Sequence, residues 1–271
     1  MITSMANSKV KRLAALAQKA KARREENCFV VEGIRMFWEA PPDWIREVYV
    51  SETFIRKHGS ELRCSAPFEV LADAVFQKVS DTQTPQGILC VLSMPHYELA
   101  ERLADSDTDE DTDTAKAPLY MLLEDLQDPG NVGTILRAGE GAGIDGVIMT
   151  RQTADLFNPK VIRATMGSIY RVPFFIVDAL TDTIDLLREK GVAVYAAHLD
   201  DSVDYDVPDY TQPTAFLIGN EGNGLRRETA QRAAQYIKIP MAGQVESLNA
   251  AMASAVLMYE AARQRRTKTK I

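Results

Sequence analysis

Apolar runs alternate with amphipathic stretches along the second half of the chain. The uninterrupted apolar run at 119–123 predicts a strand buried on both faces. A helical pattern follows at 132–142 and ends at Gly143, as expected of a helix closed by glycine. The alternation continues with strands predicted at 147–149, 174–177, 192–197, 215–218 and 236–239, and with helices predicted at 159–164, at 181–190 and from residue 247 onward. Such alternation predicts an α/β fold with a parallel, doubly wound sheet.

A shorter pattern occupies residues 1–100. An N-terminal amphipathic helix places Leu13, Leu16 and Ala20 on its apolar face. Strands are predicted at 29–33, 47–50 and 88–92, and helices at 34–40 and 72–79. The first of these two helices stops at a pair of prolines, which cannot continue it. This pattern predicts a small N-terminal α/β domain.

The segment 101–117 separates the two patterns and holds much of the negative charge of the chain. Six of its acids form a run interleaved with threonines, namely Asp105, Asp107, Asp109, Glu110, Asp111 and Asp113. A run of this kind cannot bury itself and is typical of a solvated linker. Without these six acids the formal net charge changes from −7 to −1, so the acidic total does not exclude a nucleic-acid partner.

Basic residues gather near both ends of the chain. The group on the N-terminal helix comprises Lys9, Lys11, Arg12, Lys19, Lys21, Arg23 and Arg24, and the group that closes the chain comprises Arg263, Arg265, Arg266, Lys268 and Lys270. Both groups fit contacts to phosphates. Both fit equally a solvated helix face and a frayed tail, and the sequence leaves the two alternatives open.

Membrane and metal proteins fit the sequence poorly. The three cysteines (Cys28, Cys64 and Cys90) and three histidines lack metal-ligand spacing, so we predict free buried thiols and no metal. No stretch reaches the length of a membrane span, and residues 1–10 have no apolar signal region. A cytoplasmic protein is therefore predicted.

One glycine-rich segment imitates a nucleotide site by its spacing alone. Residues 141–146 fit the pattern G-x-G-x-x-G. That fingerprint works where a strand turns into a helix N-terminus, whereas here a predicted helix comes first and a strand follows. We therefore predict no dinucleotide site, which argues against a nucleotide-binding α/β enzyme.

Three other segments, far apart in sequence, each lie where a predicted strand ends and a turn or helix begins. They are 131–137, the glycine-rich loop 219–225, and 239–241 running on to 247–249. The carboxyl ends of parallel strands share one edge of the sheet, where ligands usually bind. We expect these segments to build one site.

The residues of the first two segments also have structural interpretations. Asn131 could simply cap a helix, and Arg137, six residues on and on a similar face, could form an ion pair with Glu140. The glycines of 219–225 allow a plain turn. Turn chemistry does not explain the carboxylate of Glu221 within that loop.

The last predicted helix is rich in small residues, which favour close packing against another element or another subunit. Ser247 fits its N-cap, a role that would account for it fully. Asn249 would then lie in the first turn, where asparagine is a poor choice, so we expect it to make a further contact.

With these three segments the chain resembles the SpoU (TrmH) family of RNA ribose methyltransferases, of the SPOUT superfamily. The matching motifs are Asn131-x-Gly133-x3-Arg137, Gly219-Asn220-Glu221-Gly222-x-Gly224-Leu225, and Ile239-Pro240-Met241 to Ser247-Leu248-Asn249. A further block is similar at 158–173, and the resemblance covers 119–263. Residues 29–92 resemble the accessory RNA-binding domain of the family. One departure is Arg226, where many relatives carry serine.

The resemblance implies a fold, a cofactor and a partner. Residues 118–271 would form a SPOUT-type parallel sheet with a deep trefoil knot, a rare topology. Residues 1–100 would form the RNA substrate-binding domain, with 101–117 as the linker. The cofactor would be S-adenosylmethionine, and the protein would act as a homodimer. By their motif positions the cofactor-binding residues would be Ala197, Gly219, Ile239, Met241 and Leu248.

The resemblance also implies a reaction. A methyl group would pass to a ribose 2′-hydroxyl of RNA, with large-subunit (23S) rRNA favoured over tRNA. Arg137 would activate the hydroxyl or stabilise the developing alkoxide, and Asn131, Glu221, Ser247 and Asn249 would orient Arg137 and the substrate. The alternative is a non-catalytic RNA-binding or ribosome-assembly protein of the same fold. Intact Arg137, Glu221 and Asn249 argue against it.

Overall fold

The computed structural model describes residues 1–60, 62, 66–108 and 117–268, which divide into two compact units. The first unit comprises Met1–His96 and Asp155–Tyr170, and the second comprises Tyr97–Ala154 and the described residues from Arg171 onward. The sequence pattern assigns 155–170 to the C-terminal domain, whereas its contacts place it in the first unit. The domain boundaries near 100 and 118 stay a prediction.

The helices range in length from four to nineteen residues. They are α1 (Ser8–Gln18), α2 (Ala20–Glu26), α3 (Ile34–Glu39), α4 (Glu52–His58), α5 (Asp73–Val79), α6 (Leu99–Thr108), α7 (Pro129–Ala142), α8 (Pro159–Thr165), α9 (Leu180–Glu189), α10 (Arg227–Ala230) and α11 (Ala250–Lys268). Gly143 closes α7 with a φ of 76°, as the sequence predicts.

The strands form two separate sheets. They are β1 (Cys28–Glu32), β2 (Ile45–Ser51), β3 (Phe68–Leu71) and β4 (Ile88–Ser93) in the first unit, and β5 (Leu119–Leu123), β6 (Gly146–Thr150), β7 (Phe174–Val177), β8 (Ala193–Ala197), β9 (Val203–Asp204), β10 (Thr214–Ile218) and β11 (Gln235–Lys238) in the second.

The first unit is a four-stranded mixed sheet with helices packed on it. Its order is β1-β4-β2-β3, in which β4 runs antiparallel to both neighbours and β2 pairs with β3 in parallel. Leu13 and Leu16 of α1 are buried in one core with Tyr49 and Leu89 of the sheet, which confirms the predicted apolar face for these two residues. Ala20 is not on this helix, because the chain is extended at Lys19 and α2 begins at Ala20. Cys28 and Cys90 are buried and form no disulfide, while Cys64 lies outside the described residues.

Part of the N-terminal basic group is neutralised within the first unit. Arg12 donates to the carboxylates of Glu26 at 2.5 Å and Glu47 at 2.6 Å, and Lys9 pairs with Glu69. These cations serve the fold, because their charge is already matched by acids. The exposed Lys11, Lys19 and Arg24 remain for phosphate contacts.

Arg23 explains why the segment from Asp155 belongs to the first unit. Its side chain is only 3% exposed, and it pairs with Asp155 while donating to the carbonyl of Leu16 at 2.7 Å. The rings of Phe29 and Phe157, whose centroids lie 4.8 Å apart, join the same segment to β1. A buried cation requires a charge partner, and the chain supplies that partner from far along the sequence.

The second unit is a seven-stranded parallel sheet, as the strand–helix alternation predicts. Its order is β7-β6-β5-β10-β8-β11-β9. Every residue of β5, β6 and β10 is buried, because helices cover both faces of the central strands. Since all these strands are parallel, their carboxyl ends meet at one edge. The trefoil knot stays a prediction.

The predicted linker begins as a packed helix. Leu103 of α6 is buried in the core of the second unit, together with Tyr120 and Ile184. Leu99 packs on the same core from one turn earlier, so this short apolar stripe holds the helix in place. The interpretation of 101–117 as wholly solvated is therefore wrong for its first part. The acids at 109–113 lie outside the described residues, as does Lys270.

The C-terminal basic group is also partly structural. Arg263 pairs with Glu260 on its own helix at 2.7 Å. The guanidinium of Arg265 donates to four backbone carbonyls, those of Ala117, Pro118, Tyr210 and Gln212. Arg265 thus ties α11 to the start of β5 and to the loop before β10, rather than forming part of a frayed tail.

None of the helices in the part of the chain that the structure describes has both the length and the apolar character that a membrane crossing demands. Within the same ranges, no group of three or more histidine, cysteine, aspartate or glutamate side chains is arranged to hold a metal ion.

Candidate active site

Three neighbouring strands of the second sheet end beside the predicted cofactor residues. Strands β10, β8 and β11 are adjacent, and Ala197 at the end of β8 pairs with Ile237 of β11. Gly219 directly follows β10, and Ile239 directly follows β11. Ala197, Gly219 and Ile239 therefore lie along one stretch of the carboxyl edge of the sheet, although they are far apart in the chain.

The loop 219–225 is closed by its own hydrogen bonds. The amide of Asn220 donates to the carbonyl of Gly224 at 3.0 Å, and the amide of Gly224 donates back at 2.9 Å. A Cβ atom at residue 219 would overlap the backbone of Gly224 and Leu225. Glycine is required at this position because the backbone of Gly224 and Leu225, where the loop folds back, leaves no room for a side chain.

Glu221 is the acceptor that fixes this loop against the start of α7. Its Oε2 accepts from the amide of Gln127 at 2.9 Å, and its Oε1 accepts from the amide of Asp128 at 3.0 Å. Oε1 also accepts from Nδ2 of Asn131 at 2.9 Å. These contacts confirm that the carboxylate does more than turn chemistry requires.

Three hydrogen-bonded side chains, those of Glu221, Asn131 and Asn249, join the three predicted segments and are called the carboxamide bridge. Nδ2 of Asn249 donates to Oδ1 of Asn131 at 2.9 Å, and Nδ2 of Asn131 donates to Glu221. Asn131 thus uses both atoms of its carboxamide in the bridge. The hypothesis that the segments from three strand ends meet in one place is confirmed for these residues.

The predicted caps of the two helices at this edge are wrong. Helix α11 begins at Ala250, and Oδ1 of Asn249 accepts from the amide of Ala251 at 2.9 Å, so Asn249 rather than Ser247 is the N-cap. Asparagine suits this position because its short side chain reaches the free amides of the first turn. Asp128 likewise caps α7, which leaves the side chain of Asn131 for the bridge. Ser247 is exposed in the preceding loop.

Arg137 lies apart from the carboxamide bridge. Asn131 is buried, whereas Arg137 is exposed and makes no hydrogen bond or ion pair with any residue that the structure describes. Six residues rotate the helix by about 240°, so the expectation of a similar face is wrong. Glu140, the predicted ion-pair partner, is bound by Arg171 instead. The structure leaves the guanidinium of Arg137 available to a ligand.

The segment between Lys238 and Asn249 offers unused backbone groups. Among the described residues, the amides and carbonyls of 239–248 make no hydrogen bond with the rest of the chain. Ile239, Met241 and Leu248 are half-buried in this segment. A polar backbone beside apolar side chains suits a ligand with an adenine ring and an amino-acid tail, as S-adenosylmethionine has.

Comparison with known proteins identifies the family. Residues 118–259 match the SpoU rRNA Methylase family. The chain belongs to this family. Residues 7–90 of the SpoU protein also match an MRM3-like substrate binding domain.

Relatives of this SpoU protein match it over nearly the whole length. The 23S rRNA (guanosine(2553)-2′-O)-methyltransferase RlmP of Bacillus subtilis (strain 168) is 34% identical over 95% of this chain and 97% of its own. An AdoMet-bound rRNA methyltransferase from Sinorhizobium meliloti is 31% identical, with a TM-score of 0.82 over 97% of each chain. The SpoU methyltransferase AviRb from Streptomyces viridochromogenes, in complex with AdoMet, is 26% identical, with a TM-score of 0.83 over 96% of this chain and 99% of its own.

The electrostatics of the SpoU site keep Glu221 ionised. Partial burial alone would raise the pKa of this carboxyl, but hydrogen bonds from the amide of Gln127 and the side chain of Asn131 outweigh it and lower the pKa below the ordinary value of 4.5. A carboxylate that is ionised and already accepts several hydrogen bonds is a poor proton acceptor. Glu221 is therefore suited to position its neighbours rather than to act as a base.

We expect Glu221→Gln to weaken the carboxamide bridge. The glutamine keeps one acceptor oxygen and replaces the other with an NH2 donor, so at least one of the three donors that bind the carboxylate would face another donor. This loss should lower the free energy of unfolding by about 1 kcal/mol at neutral pH. Since the folded pKa is lowered, the stabilisation in wild type is present above about pH 4.5 and is lost as the pH falls through the folded pKa. Thermal denaturation between about pH 3 and 7 should show this acid limb in wild type and a shallower one in the variant.

The matched control for this substitution is Glu228→Gln, because Glu228 is exposed on α10 and makes no hydrogen bond or ion pair in the part of the chain that the structure covers. It should follow the wild-type curve. An unchanged acid limb in Glu221→Gln would contradict the role assigned to this carboxylate.

Sequence reasoning missed Glu124, which directly follows β5. This carboxylate is 1% exposed and accepts from the amide of Arg226 at 2.7 Å and from the hydroxyl of Thr229 at 2.5 Å. It holds the first turn of α10 and thereby the outgoing end of the loop 219–225. The available signal was an acid placed immediately after a fully apolar strand, where a buried charge needs partners.

Proposed function

We propose that this SpoU protein transfers a methyl group from S-adenosylmethionine to a ribose 2′-hydroxyl of large-subunit (23S) rRNA. The observation that supports this most directly is the carboxamide bridge, which draws together three family motifs beside the unpaired backbone of 239–248. The similarity to RlmP, a 23S rRNA 2′-O-methyltransferase, over nearly the whole chain favours the same substrate class. The reaction would take place in the cytoplasm, where ribosomes are assembled.

The cofactor would be held at the ends of β10, β8 and β11. Ala197, Gly219, Ile239, Met241 and Leu248 would contact it, mostly through backbone groups, which fits the unpaired amides and carbonyls of 239–248. When bound, S-adenosylmethionine supplies an electrophilic methyl group on a sulfonium. The protein would supply the placement of the hydroxyl in line with that methyl, and such positioning provides much of the rate of a transfer reaction.

Arg137 would stabilise the alkoxide that develops on the ribose. A guanidinium keeps its proton at any physiological pH, so electrostatic stabilisation is chemically easier than base catalysis, and the proton would pass to phosphate or water. The lack of an acid partner for Arg137 among the described residues leaves its full charge for this purpose. Asn131, Glu221, Ser247 and Asn249 would orient the substrate and the loops around it.

We also propose that the first unit binds the RNA and that the protein acts as a homodimer. The match of 7–90 to a substrate binding domain supports the first proposal. For the second, α11 exposes Met252 and Tyr259, which are 55% and 46% accessible, on a helix otherwise rich in small residues. An exposed apolar face of this kind suits contact with a second copy.

Transfer of labelled methyl to total RNA, separated by size, tests the proposed function. We expect label in large-subunit rRNA, at one linkage that resists alkaline cleavage, because methylation of the 2′-hydroxyl removes the nucleophile of that cleavage. Label in tRNA alone would support the proposed reaction and show that its substrate is tRNA instead of rRNA. If cofactor binds and no RNA is labelled, in naked form or in assembling ribosomal particles, the proposal of a non-catalytic RNA-binding protein takes its place.

A further inference from the structure

A cleft in the second unit shares the loop 219–225 with the site described so far and has no role in the reaction as proposed. Its volume is about 420 Å³, and it lies at the carboxyl ends of β6, β5 and β10. The polar residues that line it include Asp125, Gln127, Gln152, Asn220, Asn223 and Arg226. The volume lies within the range of sites for small organic groups, about 300–1,000 Å³.

The cleft is separate from the residues assigned to the cofactor. Ala197 and Ile239 follow β8 and β11, which lie on the other side of β10 in the sheet. The loop 219–225 stands between the two places and contributes Asn223 to the cleft. A group bound in the cleft would therefore be a neighbour of the cofactor and not part of it.

Most polar groups in the cleft already have partners within the chain. Oδ1 of Asp125 accepts from Thr150 at 2.7 Å, and Nε2 of Gln127 donates to the carbonyls of Asp125 at 2.9 Å and Gln152 at 2.8 Å. Both atoms of the Asn220 carboxamide are also engaged. These bonds make the floor of the cleft rigid and leave few groups to bind a ligand.

Two side-chain carboxamides in the cleft are unused. Those of Gln152 and Asn223 are exposed and make no hydrogen bond with any residue described by the structure. A carboxamide presents a donor and an acceptor side by side, which matches the edge of a nucleobase. Neither group carries charge, so neither favours a phosphate.

Arg226 completes the wall of the cleft. Its guanidinium pairs with Asp125, and its amide is fixed by Glu124 at 2.7 Å. Because Asp125 neutralises its charge, Arg226 is a weak ligand for a phosphate. A guanidinium held in place still offers a flat surface, on which an unstacked base can lie.

We infer that this cleft receives a nucleobase of the RNA substrate, with Gln152 and Asn223 contacting its edge and Arg226 its face. The inference rests on the proposed function, since it requires an RNA substrate beside the cofactor. It assigns a role to Arg226, the departure from the family pattern. It also makes the cleft a determinant of which nucleotide is methylated.

The test combines methyl-transfer kinetics with direct measurement of RNA binding. The double variant Gln152→Ala/Asn223→Ala should raise the KM for rRNA and its Kd about tenfold, the effect of losing two hydrogen bonds. Because the cofactor residues are untouched, kcat and the Kd for S-adenosylmethionine should stay near their wild-type values. Arg226→Lys keeps the charge and loses the flat guanidinium, so it should raise the same two constants about fivefold or more.

Gln231→Ala is the matched control, because Gln231 is an exposed carboxamide after α10 that does not line the cleft. An unchanged Kd for RNA in the double variant, or an equal change in the control, would overturn the inference. A wild-type protein that binds RNA without methylating it would refute the proposed function alone, and the Kd values would still decide the role of the cleft. A wild-type protein that binds no RNA would overturn both.

Discussion

Arg137→Ala should abolish methyl transfer to RNA and leave S-adenosylmethionine binding intact. The side chain is exposed and makes no hydrogen bond or ion pair with the described residues, so its removal breaks none of the polar contacts that hold the fold. Loss of a preorganised group that stabilises a developing oxyanion lowers kcat about 10²–10³-fold. Single-turnover methyl transfer measures the first effect, and calorimetric titration with the cofactor measures the second.

Two further variants make this result specific. Arg137→Lys keeps a positive charge and loses the fixed fork of donors, so its activity should lie between wild type and the alanine variant. Arg227→Ala removes another exposed arginine from the same unit, and its kcat should stay near wild type. If Arg137→Ala lost both activity and cofactor binding, its role would be structural. If it retained full activity, the proposed chemistry would be wrong.

Gly219→Ala should destroy cofactor binding and destabilise the second unit. The new methyl group would overlap the backbone of Gly224 and Leu225, which cannot move without opening the loop. Forced overpacking of this kind costs about 1–3 kcal/mol, here in the loop that lies beside the proposed cofactor site. Thermal denaturation and calorimetric titration with S-adenosylmethionine should both detect the change.

Gly222→Ala is the control from the same loop. A Cβ at residue 222 would meet only Oδ1 of Asn220 at 3.6 Å, an ordinary van der Waals distance. Its stability and cofactor affinity should stay close to wild type. Equal losses in the two variants would show that the loop tolerates no side chain anywhere, and the argument from close approach at Gly219 would fail.

The sequence predicts the strands and the location of the site better than the roles of single residues. The run 119–123 is β5 to the residue, because a strand buried on both faces needs an unbroken apolar run. Glycines and carboxamides that follow the strands indicated the site. Glycine allows a close approach of two backbone segments, and asparagine is a poor choice inside a helix unless its side chain makes a further contact. The cap of α11 was misassigned because Ser247 and Asn249 both have side chains that can cap, and only the path of the chain decides between them.

Long-range pairing explains what the sequence could not predict. Arg23 forms an ion pair with Asp155, and Arg265 donates to backbone carbonyls, so parts of the N-terminal and C-terminal basic groups stabilise the fold. Neither pairing leaves a local pattern, because the partners are far apart in the chain. The packed helix α6 was missed for the opposite reason: Leu99 and Leu103 are a small apolar signal beside a conspicuous acidic run.

The two atoms of the Asn249 carboxamide place an unusual constraint on the evolution of this chain. The oxygen caps α11 by accepting from the amide of Ala251, and the nitrogen donates to Asn131 in the carboxamide bridge. Serine, threonine and aspartate start helices about as well, so drift among them is ordinarily open to a capping residue. At this position aspartate would keep the helix and lose the donor to Asn131, and serine or threonine would have a single hydroxyl to serve both the helix amide and Asn131. Substitutions of Asn249 that would be neutral at an ordinary helix cap are therefore not neutral here. A change of residue 249 would have to be accompanied by a change of residue 131.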